Sequence, residues 1–587
     1  MKFARVAEIF SVIESLSSRL EITAELAKLF TACSAKEAEI LAYLCLGSLR
    51  APYKGTQFNI AQKTVMSMMS DILGVDHADF VAHVNACGDI STSIAQYGKS
   101  GTSDYSLEEM YERLITIEAI SGEGAQGRRC QQLLALLQEI PSLQAQYIVR
   151  IVLGTLRLNF LDMTLLDALS YMLVGTKKAR FVLEDAYNVC ADIGRIAYIA
   201  KSEGVEGLQA VSIVVGVPIR PAAAERMSSA QDIIDKIGYS CAQPKIDGFR
   251  LQIHIDRRGK IPQYAFFSRN LIDMSALFPD IVAELGFIDV ETLIVEGEAV
   301  AYNQETGEFL PFQETVKRKR KHDIAAAAEA LPIQLFLFDC LYKNGVSFLE
   351  KTHEQRRAAL LSFVREAGQK KREIMPHVFV IAEECFGEAL SLEKYFWENI
   401  QNGLEGLVVK KPDSVYTPGK RNFGWIKLKR QETGSLDDTI DIVILGYYYG
   451  QGKRAAFGIG SFLGGIYNKY TDTFETIAKV GTGMTDDELR TLKTMLDSVA
   501  VAKRPHNVIC AKELYPDVWC TPTYVCSVRA DNITRSPLHA AGKSADALGY
   551  ALRFPRFMGH RPDKLAVDAT DTDEIVEFYK RITLVQK

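Results

Sequence analysis

Three successive patterns predict a multidomain protein with an all-α domain, an α+β domain and a small β-barrel. Apolar residues recur at helical spacing from Phe3, Val6, Phe10 and Ile13 to Leu16 and Leu20. With glycine-rich interruptions the pattern runs on through Tyr147-Ile148-Val149-Arg150-Ile151-Val152-Leu153 to about residue 200. Val217-Pro218-Ile219-Arg220-Pro221 breaks it, and short alternating strands then mix with helices, such as one over 351–366, to about residue 430. After Gln431-Glu432-Thr433-Gly434 strands dominate: 440–449 is apolar and aromatic, Gly450-Gln451-Gly452-Lys453 turns, and Phe462-Leu463-Gly464-Gly465-Ile466-Tyr467 follows. The expected domains are 1–205, 206–430 and 431–587, since 587 residues exceed what one core serves.

A net charge of -5 argues against a wholly basic binder, so any nucleic-acid contact must come from local basic faces. The 11 cysteines are scattered, with no C-x-x-C pair and no His/Cys cluster at zinc spacing, which predicts reduced thiols in an intracellular protein and no structural metal. Nowhere do 18 apolar residues run together, so neither export nor a membrane span is expected.

Within the helical part, Ala51-Pro52-Tyr53-Lys54-Gly55 and Ser121-Gly122-Glu123-Gly124-Ala125-Gln126-Gly127-Arg128-Arg129 set cations beside glycines, where backbone and side chain can both approach phosphate. Each also reads as an ordinary loop. The run Lys317-Arg318-Lys319-Arg320-Lys321 is a solvated face, an address signal or a basic patch near nucleic acid. Gly542-Lys543-Ser544 imitates the end of a phosphate loop, but Pro537 stands where such a loop needs its first glycine, so a turn is expected.

The chemistry is best placed at Cys241-Ala242-Gln243-Pro244-Lys245-Ile246-Asp247-Gly248-Phe249-Arg250. Leu251-Gln252-Ile253-His254-Ile255 alternates apolar and polar as a half-buried strand would, so Lys245 and Asp247 should face one way. A free lysine with a pKa of roughly 10.4 is a poor nucleophile at neutral pH. Burial and neighbouring cations correct that; Arg250 offers a cation, and Asp247 a group to orient the amine or take its proton. Taken alone, K-x-D-G-x-R is as consistent with a surface strand and turn.

Downstream stand Phe267-Ser268-Arg269-Asn270, Val295-Glu296-Gly297-Glu298-Ala299, Phe336-Leu337-Phe338-Asp339, Glu405-Gly406-Leu407-Val408-Val409-Lys410, Trp425-Ile426-Lys427-Leu428-Lys429 and Arg561-Pro562-Asp563-Lys564. In that order the segments resemble the covalent nucleotidyltransferases, most closely the ATP-dependent DNA ligases of the archaeal and eukaryotic replicative type. The resemblance implies a helical DNA-binding domain, an adenylation domain and an OB-fold. It makes Lys245 the residue that takes AMP, oriented by Asp247. Gln243, Arg250, Arg269, Glu298, Phe338, Arg421 and Lys427 would bind the nucleotide, with Arg250 and Glu298 on the ribose and Phe338 on the adenine. Lys410, Lys429, Arg561 and Lys564 would contact phosphates. Gln243 departs from the glutamate usual at its place, which leaves base selectivity open. Glu298 and Glu405 would position magnesium, a hard cation that takes oxygen ligands. Lys54, Arg128, Arg129 and Arg157 would meet DNA.

The implied reaction uses ATP and Mg2+ to seal 5′-phosphate/3′-hydroxyl nicks in duplex DNA, in replication, repair and recombination, through lysyl-AMP and DNA-adenylate. A monomer is expected, and the resemblance leaves room for a sliding-clamp partner. Two alternatives stay open: an RNA ligase or mRNA-capping enzyme, which would not need the first 205 residues, and a non-catalytic DNA clamp, against which the intact Lys245, Glu298, Glu405, Lys427 and Lys564 argue.

Overall fold

The computed structural model describes residues 1–97, 101–156, 158, 160–310, 315, 331–371, 376–429, 439–544 and 547–585, without the side chains of 95, 365–371, 452–453 and 581–585. Arg157 and the basic run 317–321 lie outside the described residues. Two compact units form, Met1–Ala61 with Gly101–Arg430, and Gln62–Ser100 with Gln431–Lys587. Among the described residues no helix is long and apolar enough to cross a membrane.

The first unit begins with helices Phe3–Ser15, Arg19–Ala32 and Ala35–Cys45. Phe3, Val6, Phe10 and Ile13 are buried as their spacing predicts, but Leu20 is 63% exposed. The pattern is broken at Ser18, whose side chain accepts from Glu21 N–H and starts a new helix on a new phase. Ser34 opens the third with a capping box closed by Glu37.

The α+β part of this unit holds two sheets. Strands β1 (Ala223–Met227), β2 (Ser240–Pro244), β3 (Phe249–Asp256), β4 (Gln263–Ser268), β5 (Thr292–Ala301), β6 (Ile333–Lys343), β7 (Val346–Ser347), β8 (Val378–Val380), β9 (Glu384–Phe386), β10 (Gly406–Lys410) and β11 (Arg421–Lys429) follow in chain order. One sheet runs β1-β11-β10-β2-β9, the other β4-β3-β5-β6-β7 with β8 beside β6. The helix expected over 351–366 spans His353–Lys371. Because β2 belongs to one sheet and β3 to the other, residues 245–248 are the link between them rather than part of a strand. Strand β3 also departs from the half-buried expectation. Gln252 and His254 are as buried as Leu251, Ile253 and Ile255, because Gln252 Oε1 accepts from Ile219 N–H at 2.7 Å and His254 Nδ1 accepts from Gly216 N–H at 3.0 Å. Its polar face is covered by backbone that needs hydrogen bonds.

The cysteines correct a further expectation. Cys241 and Cys385, directly opposed on antiparallel β2 and β9, form a disulfide; the other nine are free.

The second unit is strand-dominated, with β12 (Ile440–Tyr448), β13 (Ser461–Asn468), β14 (Thr473–Val480), β15 (Ala500–Val501), β16 (Val508–Ile509), β17 (Val518–Cys520), β18 (Val525–Arg529), β19 (Asn532–Ser536), β20 (Gly549–Arg553) and β21 (Arg556–His560). Its main sheet runs β15-β17-β12-β13-β14-β16, with β18 joining β12 to β21. Helix Asp486–Asp497 lays Leu489, Leu492 and Leu496 on the core formed by Ile442, Ile444, Phe462 and Ile477. Gly542 sits at φ +61° in a turn, as expected of that segment. Helices Gln62–Leu73, His77–Cys87 and Ile90–Tyr97 belong to this unit too. The second of them ends at Gly88, at φ +70°, where a Cβ would strike Ala455 Cβ at 2.5 Å.

Candidate active site

The link between the two sheets places Lys245. Its N–H donates to the Gly406 carbonyl at 2.8 Å and its carbonyl accepts from Glu405 N–H at 3.1 Å, so the ladder between β2 and β10 extends one residue and then the chain departs. Two glycines make room for this. A Cβ on Gly406, at φ +136°, would lie 2.2 Å from the Leu428 carbonyl oxygen, and one on Gly248 would lie 2.4 Å from that of Ala299. The Glu405 carboxylate pairs with Lys245 Nζ and, at 2.9 Å, with Lys429 Nζ. Burial works to raise the Glu405 pKa, but the two ammonium groups outweigh it and hold the carboxyl below its ordinary range.

Arg250 and Glu298 are opposed across β3 and β5. The Arg250 guanidinium donates to both Glu296 carboxylate oxygens, at 3.0 and 2.9 Å, and to the Ala222 carbonyl at 2.9 Å. The rings of Phe338 and Trp425 lie 5.5 and 5.4 Å from it. Tyr416 donates to the same Glu296 carboxylate at 2.9 Å. Glu298, by contrast, has its pKa pushed up to about 7: burial outweighs the opposing pull of Lys245 and Arg250, and nearby Asp247 adds to the rise. Asp247 itself is exposed.

Other predicted residues sit deeper. Lys410 is fully buried, donating to the Phe338 carbonyl at 3.1 Å and lying 3.5 Å from Asp339, which Arg356 clamps at 2.7 and 3.2 Å. Burial draws the Lys410 pKa down to about 8, with Asp339 opposing the shift. Phe338 is 8% exposed and packs edge-on against Trp425. Gln243, 2% exposed, donates at 2.6 Å to Glu383, which also holds His353 at 2.8 Å and Arg357 at 2.9 Å. Lys427 sits among like charges: its pKa is lowered by burial and then by Arg421, Lys429, Arg269 and Arg226. The structure therefore gathers Arg269, Arg421, Lys427 and Lys429 into one cationic field.

Sequence reasoning missed Arg226 and Glu296. Arg226 is paired with Lys427 across parallel β1 and β11, and no motif marked it. Glu296 had a signal, since it stands two residues from Glu298 on the same strand face.

In the second unit Arg561 and Lys564 share Asp441 of β12, at 2.7 and 2.8 Å, and Arg561 also forms a two-pronged pair with Asp563. Burial would raise the Asp441 pKa, but Lys564, Ser527 and Arg561 hold it below the ordinary carboxylate value. In the helical region Lys54 stays about half exposed, 3.9 Å from Asp192. Arg128 folds back onto the Glu123 and Ser121 carbonyls at 2.7 and 2.8 Å, and Arg129 reaches those of Phe58 and Glu118 at 3.3 Å.

Comparison with known proteins finds three matched regions along the chain. Family models describing the DNA ligase N terminus, the ATP dependent DNA ligase domain and the ATP dependent DNA ligase C terminal region match residues 2–170, 221–429 and 455–564. The chain is 40% identical over 582 residues to a probable DNA ligase of Dictyoglomus turgidum, covering 99% of this chain and 98% of that one. It is 36% identical over 599 residues to DNA ligase 2 of Thermofilum pendens, covering 99% and 97%. The solved structure of Pmar-Lig_PreS3 superposes with a TM-score of 0.54 over 94% of this chain and 99% of that one, at 16% identity, a likeness of fold.

Proposed function

The chain belongs to the ATP-dependent DNA ligase family, and from that premise we propose that it seals nicks in duplex DNA by way of AMP carried on Lys245. The observation that carries this reading is the Lys245–Glu405–Lys429 group at the junction of two sheets, flanked by Glu298 and the Arg250–Glu296 pair. Glu405 fixes the amine at the end of a rigid ladder, and Lys429 on the same carboxylate brings a second positive charge to the place where the α-phosphate would sit. In the first step the Lys245 nitrogen bonds to the α-phosphorus of ATP and the α–β bridging oxygen leaves with pyrophosphate. AMP then passes to the 5′-phosphate of the nick, and the 3′-hydroxyl displaces it. Arg269, Arg421, Lys427 and Lys429 form the cradle for phosphate charge, with Arg226 reinforcing it. Arg561 and Lys564 orient pyrophosphate in the first step only.

Glu298 fits magnesium. Its carboxylate is a hard oxygen donor in a site whose burial disfavours the uncompensated charge, which a divalent cation would relieve. Glu405 already holds two ammonium groups, so it stands behind Glu298 as a candidate. When bound, the ion would neutralise phosphate charge. The region before residue 205 grips duplex through phosphates and sugars, residues 206–430 carry the chemistry, and 431–587 form the OB-fold that brings Arg561 and Lys564. We take the protein to act as an intracellular monomer in replication, repair and recombination.

The test is incubation with α-labelled ATP, with GTP and NAD in parallel, followed by nicked DNA and RNA ends. Failure of the protein to take up label, label that survives acid where a phosphoramidate would be hydrolysed, or transfer to RNA in preference to nicked DNA would refute the reading.

A further inference from the structure

Among the described residues, strand β9 is a three-residue edge strand that joins its sheet only through β2. Its central residue, Cys385, is exposed, whereas its disulfide partner Cys241 is 3% exposed and is opposed on its other side by Lys410 of β10. Cys385 is therefore the solvent-facing residue of the pair. Glu383, which leads into β9, accepts from Gln243, two residues before Lys245. The segment 383–386 thus touches the lysine strand through three backbone-paired residues, one side-chain hydrogen bond and one covalent bond.

We propose that Cys241 and Cys385 form a reversible thiol–disulfide site, opened by a dithiol reductant, that sets how firmly the strand leading to Lys245 is held. A thiolate of the reductant attacks Cys385 Sγ, the bond between the cysteine sulfurs breaks, and Cys241 leaves as a thiolate that takes up a proton. The reductant's second thiol then resolves the mixed disulfide. Two electrons and two protons have passed to the cysteine pair, and the reductant is left as its disulfide. The two sulfurs must then move from bonding to van der Waals separation, while the Glu383 carboxylate lies within 4.8 Å of both. The short edge strand is the part able to give way, and the Gln243–Glu383 contact moves with it. Lys245, placed by the same ladder, loses some of its pre-alignment.

The site rests on the proposed role of Lys245 only for its activity readout. The experiment uses the full chain, equilibrated across mixtures of oxidised and reduced dithiothreitol, alkylated and mapped by peptide mass, with single-turnover lysyl-AMP formation measured on the same samples. A linked 241–385 peptide should open along one two-electron curve. Lysyl-AMP formation should fall roughly tenfold along that curve, as a misplaced nucleophile implies, and return on reoxidation. Cys385→Ser and Cys385→Ala should show the slow rate in both conditions. Absence of the linked peptide under oxidant, resistance of the bond to reduction in the folded protein, or a rate constant across the curve would each overturn the proposal. If no lysyl-AMP forms under any condition, it is the reading of Lys245 that fails, and the peptide curve still decides the thiol–disulfide site.

Discussion

Glu405 and Asp441 each gather two cations, Lys245 and Lys429 on the first and Arg561 and Lys564 on the second. The first is built into backbone. The Glu405 N–H donates to the Lys245 carbonyl and the Lys245 N–H to that of Gly406, glycines clear the space, and the neighbouring Arg250 is held by a buried glutamate. The second lies just beyond the end of β21, where Arg561 is divided between Asp441 and an acid two residues away. The contrast separates two kinds of charge placement. If Lys245 forms the covalent bond as proposed, it needs one geometry, and the fold over-determines it. In the same proposal Arg561 and Lys564 need only neutralise a departing group, so they can rest on an acid whose place a phosphate would take.

The sharpest way to break the first half of this contrast is to change the nucleophile while keeping its charge. Lys245→Arg can still pair with Glu405, yet its guanidinium stays protonated and cannot attack. No lysyl-AMP should be seen on denaturing gels with labelled ATP, and label surviving there would remove Lys245 from its role. The second half predicts a step-specific loss. Arg561→Ala and Lys564→Ala should each slow lysyl-AMP formation by on the order of a hundredfold, the scale of a lost transition-state charge stabiliser, while sealing of a nick already carrying AMP falls far less. Single-turnover rates for both steps decide it; equal losses would make the cluster structural.

Which parts of this were legible in sequence follows from how local each feature is. The Lys245 segment, Glu298 and the alternating lysines of β11 are carried by neighbours within a few residues, and their order along the chain exposed the family. Arg226 was not legible, because its place beside Lys427 depends on a strand pairing across 201 residues, 427 minus 226. The disulfide spans 144 residues and has the same cause. Strand β3 was misread as half-buried because its polar residues are satisfied by the 216–219 backbone, which no periodicity reports. Leu20 fell on a helical spacing that Ser18 had already ended.

Glu298 offers a thermodynamic version of the comparison. A carboxyl raised from 4.5 to about 7 in the folded protein binds protons there more readily than in the unfolded chain. Stability should therefore fall as pH rises from about 4.5 to 7, with the full penalty present above 7. Glu298→Gln removes that penalty. At pH 8 it should be more stable than wild type by at most on the order of 3 kcal/mol, and by less given the solvent the side chain retains. The advantage should vanish below about pH 4.5, even though lysyl-AMP formation is impaired throughout. Urea titrations at the two pH values measure it, and a gain that does not depend on pH would show that burial of charge is not its source.

The smallest effects belong to the helical region, where Lys54 and Arg128 answer neither description. Lys54 is about half exposed and only 3.9 Å from Asp192, and Arg128 caps its own loop carbonyls. Neither is locked to a reacting atom, and neither shares an acid with a second cation in the way Arg561 does. If they meet DNA, they meet it as separate phosphate contacts whose energy comes chiefly from released counterions. Lys54→Ala and Arg128→Ala should then each weaken binding to a nicked duplex a few-fold, equally for unrelated sequences, and lower the salt slope of log K by about one. Lysyl-AMP formation should be unchanged, because that step needs no DNA. Fluorescence anisotropy at several salt concentrations reads the slope directly. An unchanged slope with weaker binding would make Arg128 a loop-stabilising residue and Lys54 a partner of Asp192, and would move the phosphate grip elsewhere on the helical surface.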